Sequence, residues 1–135
     1  MNPSPHEFLH PKNWHSPRGY SNGVVAQGRT IYLAGLIGWN HRQEFESDDF
    51  VEQVDNTLKS IVEALDAAGA GPEHLVRMTW YITDKQEYLS RLKELGAVYM
   101  KHLGKNFPAM AMVQVVALME DRAKVEIEAT AVTPA

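Results

Sequence analysis

Cysteine is absent from the chain, and with it go disulfides, thiolate nucleophiles and zinc–thiolate centres. Long hydrophobic runs are missing as well. No apolar stretch is long enough to span a bilayer, and the opening residues MNPSPHEFLHPKNWHSPRG hold no apolar core of a secretory signal. The expected location is cytoplasmic, with no membrane partner. Basic residues never run beyond two in sequence and the formal net charge is −4, so the positive stripe that nucleic-acid binding needs is lacking. RNA and DNA are not expected partners.

What is present fits one ordinary globular domain over residues 1–135, with 44% apolar and 22% charged residues. Residues 1–19 hold four of the seven prolines and three of the six histidines, the composition of an arm rather than a regular element. From Tyr20 to Gly38, the runs YSNGVVAQ and TIYLAGLIG flank Gly28-Arg29 and predict a hairpin. Ser47 reads as a helix N-cap, followed by Asp48 and Asp49 and by an apolar stripe of Val51, Val54, Leu58, Ile61, Val62 and Leu65 that ends at Gly69. The alternation in LVRMTWYIT predicts a strand with Val76, Met78, Trp80 and Ile82 on one face. Asp84 and Glu87 form a capping pattern ahead of a second helix, whose stripe is Tyr88, Leu92, Leu95, Tyr99 and His102 or Leu103. Two strands, Ala109 to Met119 and Ala123 to about Val132, complete the chain.

This order implies an α+β domain with two helices packed on one face of a mixed sheet. On the strand after Pro108, Ala111, Val113, Val115 and Ala117 are assigned to the helix side and Met110, Met112, Val116 and Leu118 to the other. Two apolar faces are more than two helices cover, so a homo-oligomer with its sheets facing one another and clefts between subunits is expected.

With these elements in hand, the chain resembles the RidA (YjgF) family over nearly its whole length. RGYSNGV, IYLAGLIG, Gln53, AGAGPEHLVRMTWYITD, FPAMAMVQV and KVEIEATAV carry the likeness. The resemblance implies a chorismate-mutase-like fold and a homotrimer with a small-molecule ligand in each subunit interface, with no cofactor. Enzymes of the best-known group hydrolyse reactive enamines and imines, such as 2-aminoacrylate, to keto acids and ammonia. They hold the substrate carboxylate with an arginine directly after the Pro-Ala step. Met110 stands there in this chain. The family's serine-glycine pair appears as Ala34-Gly35, the small sulfur residue as Met112, and a site asparagine aligns with Gly96, while Tyr20 and Glu126 fit the pattern.

Imine hydrolysis needs a group that handles water and a donor for the developing amine. Glu126 is the first candidate, on the same strand face as Glu128 and Thr130 and opposite Val125, Ile127 and Ala129. Glu128 is the second, and a plain solvated role is the alternative for both. Tyr20 is either a hydrogen-bond donor to substrate or a packing residue. Gly35 leaves room for a ligand to reach the backbone, or marks a bend. Met110 and Met112 offer an adaptable apolar surface, either a pocket for an uncharged ligand or trimer core. A carboxylate beside Met110 loses a bidentate ion pair unless Arg18, Arg77, His102 or Lys105 replaces it. The six histidines are too scattered for a metal site, and Trp39-Asn40-His41 reads as a surface loop. Three functions follow in order: an enamine/imine deaminase-like hydrolase, a non-catalytic ligand-binding trimer, and an endoribonuclease or translation inhibitor.

Overall fold

The computed structural model describes residues 2–135. Strands β1 (Glu7–Leu9) and β2 (Gly23–Val25) form a small antiparallel pair. The main sheet holds β3 (Arg29–Tyr32), β4 (Leu36–Ile37), β5 (Leu75–Ile82), β6 (Ala109–Gln114) and β7 (Val125–Thr133) in the order β3-β7-β5-β6, with β4 also on β7. β6 runs parallel to β5, and such a pair needs a crossover; here it consists of α2 (Lys85–Ser90) and α3 (Leu92–Leu103). α1 (Phe50–Ala67) lies beside α3 and against β7.

α1 is capped by Asp49 rather than by Ser47. The Asp49 side chain accepts from the Glu52 N–H at 3.0 Å, while the Ser47 hydroxyl accepts from the Asp49 N–H one step earlier. The predicted stripe is the core: Val54, Leu58, Ile61 and Leu65 are fully buried, and each contributes about 1.5–3 kcal/mol by leaving water.

The expected single second helix is two. Arg91 leaves helical geometry (φ −128°, ψ 29°) and its guanidinium forks onto Glu94 at 2.8 and 3.0 Å and onto Asp49 at 2.5 Å. The break is therefore a staple between the α1 cap and the start of α3. No glycine or proline marks it, which is why periodicity reads across it.

Other boundaries also move. The arm contains β1, and the predicted hairpin does not form, because β2 pairs with β1 while β3 pairs with β7. Gly28 permits that pairing: its φ is +146° and a Cβ there would lie 2.8 Å from the Thr133 carbonyl carbon. A bulge between Leu75 and Arg77 takes Val76 out of the alternation, so Leu75, Met78, Trp80 and Ile82 form the buried set. β6 stops at Gln114, and its expected parity is reversed: Met110 and Met112 pack on the helix-side core, in register with Met78 and Trp80. Ala111 and Val113, beside Thr79 and Tyr81, belong to the open face. With Thr79, Tyr81, Glu126 and Glu128 on it, that face is mixed, and the second apolar face expected from sequence is not found among the described residues.

Between the helices, Asp55 of α1 pairs with His102 and, at 3.3 Å, with Lys101 of α3. Burial pushes its carboxyl up, and the hydrogen bonds from His102 and Lys101 together outweigh this and hold it below its usual range. A carboxylate with a lowered folded-state pKa adds stability above its unfolded value, about 4, and loses it as pH falls through the folded one. Thermal melting should therefore fall as acid is added below about pH 4, and Asp55→Asn should remove part of that slope. An unchanged acid limb in the variant would contradict the assignment.

Candidate functional site

An apolar cavity of about 300 Å³ opens between the start of β6 and the α2–α3 pair. Met110 and Met112 form one wall and Trp80 adjoins them on β5, while Tyr88, Leu92, Leu95 and Tyr99 form the facing wall. The wall facing β6 is the second helical stripe; sequence reasoning reads its apolar spacing as core, and no residue in it signals a ligand. Gly96 on α3 leaves a gap in that wall, since a Cβ there would meet nothing within 4 Å. Tyr99 stacks on Phe107 with ring centroids 5.3 Å apart, and its hydroxyl donates to the Asn106 carbonyl at 2.5 Å. Burial raises the pKa of both Tyr99 and Tyr88, so both are neutral phenols.

The Tyr20 segment reaches this cavity by backbone pairing. Ser21 forms a parallel bridge to Ala109, its N–H donates to the Pro108 carbonyl at 3.0 Å, and its hydroxyl bonds the Phe107 carbonyl. Gly19 thereby joins the lining, with Tyr20 next to it and 43% exposed.

None of the cations considered as a replacement for the missing arginine lines the cavity. His102 is engaged with Asp55, Arg77 is exposed on β5, and Arg18 and Lys105 are exposed. Among the described residues no three His, Cys, Asp or Glu side chains gather as a metal-holding group. No described helix is long and apolar enough to cross a membrane.

Glu126 lies elsewhere. On the open face of the sheet it is opposite Tyr81, next to Glu128 and Thr79. The Tyr81 hydroxyl donates to Glu128 at 2.8 Å, and this bond is the main reason the Tyr81 pKa is raised. Glu126 instead rests against Gly35: a Cβ at Gly35 would lie 2.9 Å from the Glu126 carboxyl carbon and closer still to Oε2. The missing side chain of Gly35 is thus the space its neighbour's carboxylate uses, with Ala34 exposed beside it. Of the sequence-derived site residues, the structure brings Met110, Met112 and Gly96 together with Tyr20 nearby. It brings Gly35 and Glu126 together as a second group. The two groups occupy opposite faces of one sheet.

Residues 12–133 match the family model described as endoribonuclease L-PSP. The chain belongs to this YjgF/RidA family. Among its relatives, a human 2-iminobutanoate/2-iminopropanoate deaminase is 32% identical over 114 residues, 84% of this chain and 79% of the relative. The crystal structure of YyfB from Yersinia pestis, a Rid-family protein of unknown function, matches with a TM-score of 0.84 at 28% identity, covering 95% of this chain and 98% of that one. A YjgF/YER057c/UK114 family member from Mycobacterium tuberculosis is 36% identical, with a TM-score of 0.63 over 85% of this chain and 87% of its own. The mixed α+β architecture, with its sheet and three helices, is that of the Rid structures.

Proposed function

We propose that this Rid-family chain is a cytoplasmic enamine/imine hydrolase whose substrate lacks the α-carboxylate of an imino acid. The observation that carries this reading is the Met110 cavity, whose walls hold no cation to pair with a carboxylate. Separation of Glu126 from that cavity supports a homotrimer, in which the Met110 side of one copy meets the Glu126 side of another across a cleft. In the reaction, water adds to the imine carbon and the carbon–nitrogen bond breaks, giving a carbonyl compound and an amine. Glu126 takes a proton from water as its oxygen bonds to the imine carbon and passes it to the nitrogen. It then takes the hydroxyl proton of the resulting carbinolamine and delivers it to the nitrogen as the carbon–nitrogen bond breaks, and Tyr20 assists by donating a hydrogen bond.

Hydrolysis of imino acids and of their uncharged imine analogues, by wild type and Met110→Arg, tests this reading. Wild type should turn over the uncharged series and leave imino acids nearly untouched. Met110→Arg should gain imino-acid hydrolysis by about 10- to 100-fold, the range of a charge-assisted hydrogen bond. Efficient imino-acid hydrolysis by wild type would overturn it.

A second reading, a non-catalytic ligand-binding trimer, draws support from the nearly unbroken apolar lining; apolar metabolites would then raise the melting temperature without being consumed. The net charge of −4 speaks against the endoribonuclease activity in the family model's name.

A further inference from the structure

Three of the six methionines in the chain, Met100, Met110 and Met112, line the one apolar cavity, and the stacked pair Tyr99 and Phe107 lines it with them. The two rings lie within 13° of parallel, and no charged side chain is found among the described lining residues. Thioethers and aromatic rings are polarisable surfaces that favour an aromatic ring over a saturated one of the same bulk. The volume of about 300 Å³ is twice that of the engineered apolar cavities of about 150 Å³ that take up benzene, so a ring with a short substituent fits. The opening is shaped by α3. Leu92, Gly96 and Met100 follow one another at four-residue spacing, which makes them neighbours in one row of the helix surface, and all three line the cavity. Leu92 and Met100 are 51% and 43% exposed, so this row stands at the mouth. A Cβ at Gly96 would meet nothing within 4 Å, which leaves the middle of the row open by one side chain.

We infer that this cavity binds a neutral aromatic ring with a short substituent, admitted past Gly96 and packed on the wall of Met110 and Met112. The inference rests on the hydrolase reading only in naming this ring as the body of the substrate. The binding itself requires no chemistry. A ring acid is excluded, because no cation lines the cavity to offset the desolvation of its carboxylate. A saturated ring of equal size fits but forgoes the sulfur–ring and ring–ring contacts, so aromaticity discriminates between two molecules of like bulk.

Acetophenone and cyclohexyl methyl ketone form such a pair, sharing the acetyl group and differing in the saturation of the ring. Titration calorimetry, together with the methyl resonances of protein labelled with carbon-13 at its methionines, reads their binding. Acetophenone should bind wild type about three- to tenfold more tightly than cyclohexyl methyl ketone, the span of one or two sulfur–ring or ring–ring contacts. Its ring should also move the Met110 and Met112 methyl resonances, while benzoate shows no binding. The double variant Met110→Leu, Met112→Leu keeps the volume of the wall, so it should narrow the preference and leave binding of the saturated probe nearly unchanged. Gly96→Leu places a side chain at the mouth and exchanges glycine for a better helix former; it should weaken both neutral probes by about tenfold or more with no fall in melting temperature. Equal binding of benzoate, equal or tighter binding of the saturated probe, a preference untouched by the double variant, binding indifferent to Gly96→Leu, or no acetophenone binding would each overturn the inference. Neither neutral probe contains a carbon–nitrogen double bond. If these probes fail while uncharged imines are hydrolysed, the cavity assignment falls and the hydrolase stands. If they bind and no imine is turned over, the hydrolase reading falls alone.

Discussion

Glu126→Gln is expected to lower turnover of an uncharged imine by about 10²- to 10⁴-fold, the contribution of one positioned acid–base group, while the melting temperature changes little. The amide keeps the shape of the side chain but cannot accept the proton that water must lose. Glu128 is the weaker candidate because its carboxylate already accepts from Tyr81, so Glu128→Gln should cost far less. Gly35→Ala tests the same assignment through geometry. Its new Cβ would overlap the Glu126 carboxyl group and push it away from its present position. A displacement of about 1 Å can cost up to about 10²-fold in rate, with the loss in kcat rather than KM. Unchanged turnover in Glu126→Gln would remove the residue from the reaction.

How far the site was legible follows from which signals are periodic. The β7 alternation separates Val125, Ile127 and Ala129 from Glu126 and Glu128, and the structure keeps that division. For β6 alternation identifies two sets without saying which one meets the helices, since both AMAMV parities are apolar. Met110 and Met112 stand on the helix side, the reverse of the sequence expectation, and among the described residues the open face is mixed rather than apolar. Register against Met78 and Trp80 resolves the parity, and register is a long-range property. Spacing places Trp80 on one strand face and Tyr88 and Leu95 on one helical stripe, and nothing in that spacing marks them as cavity walls. Whether a helix stripe closes on a sheet or stands off it depends on packing volumes across the interface, which spacing along one strand or helix does not encode. The Arg91 staple was hidden for a related reason, because its partners Asp49 and Glu94 come from two helices.

Gln53→Leu should cost about 3 kcal/mol, although Gln53 touches no part of the candidate site. Its side chain, fully buried in α1, donates to the Ser47 carbonyl at 3.1 Å and to the Arg122 carbonyl at 3.0 Å, and accepts from the Lys124 N–H at 2.8 Å. One amide thus satisfies three backbone groups in the loops leading into α1 and β7. Leucine fills the same volume and leaves all three unpaired, at roughly 1 kcal/mol each. The fit is tight on the other side too, since a Cβ at Gly38 would lie 2.6 Å from the Gln53 carbonyl oxygen, so the helix cannot shift to compensate. Urea unfolding should show a lower midpoint with an unchanged m-value, and melting should fall by roughly 10 °C. A loss below about 1 kcal/mol would mean that the 122–124 turn finds other partners. Gln53 is one of the positions that carry the family resemblance, and its contacts account for it as a tie between α1 and the entry to the strand bearing Glu126. A polar residue within an apolar helical stripe is here a structural bolt, and its loss should lower activity only as far as it lowers the folded fraction.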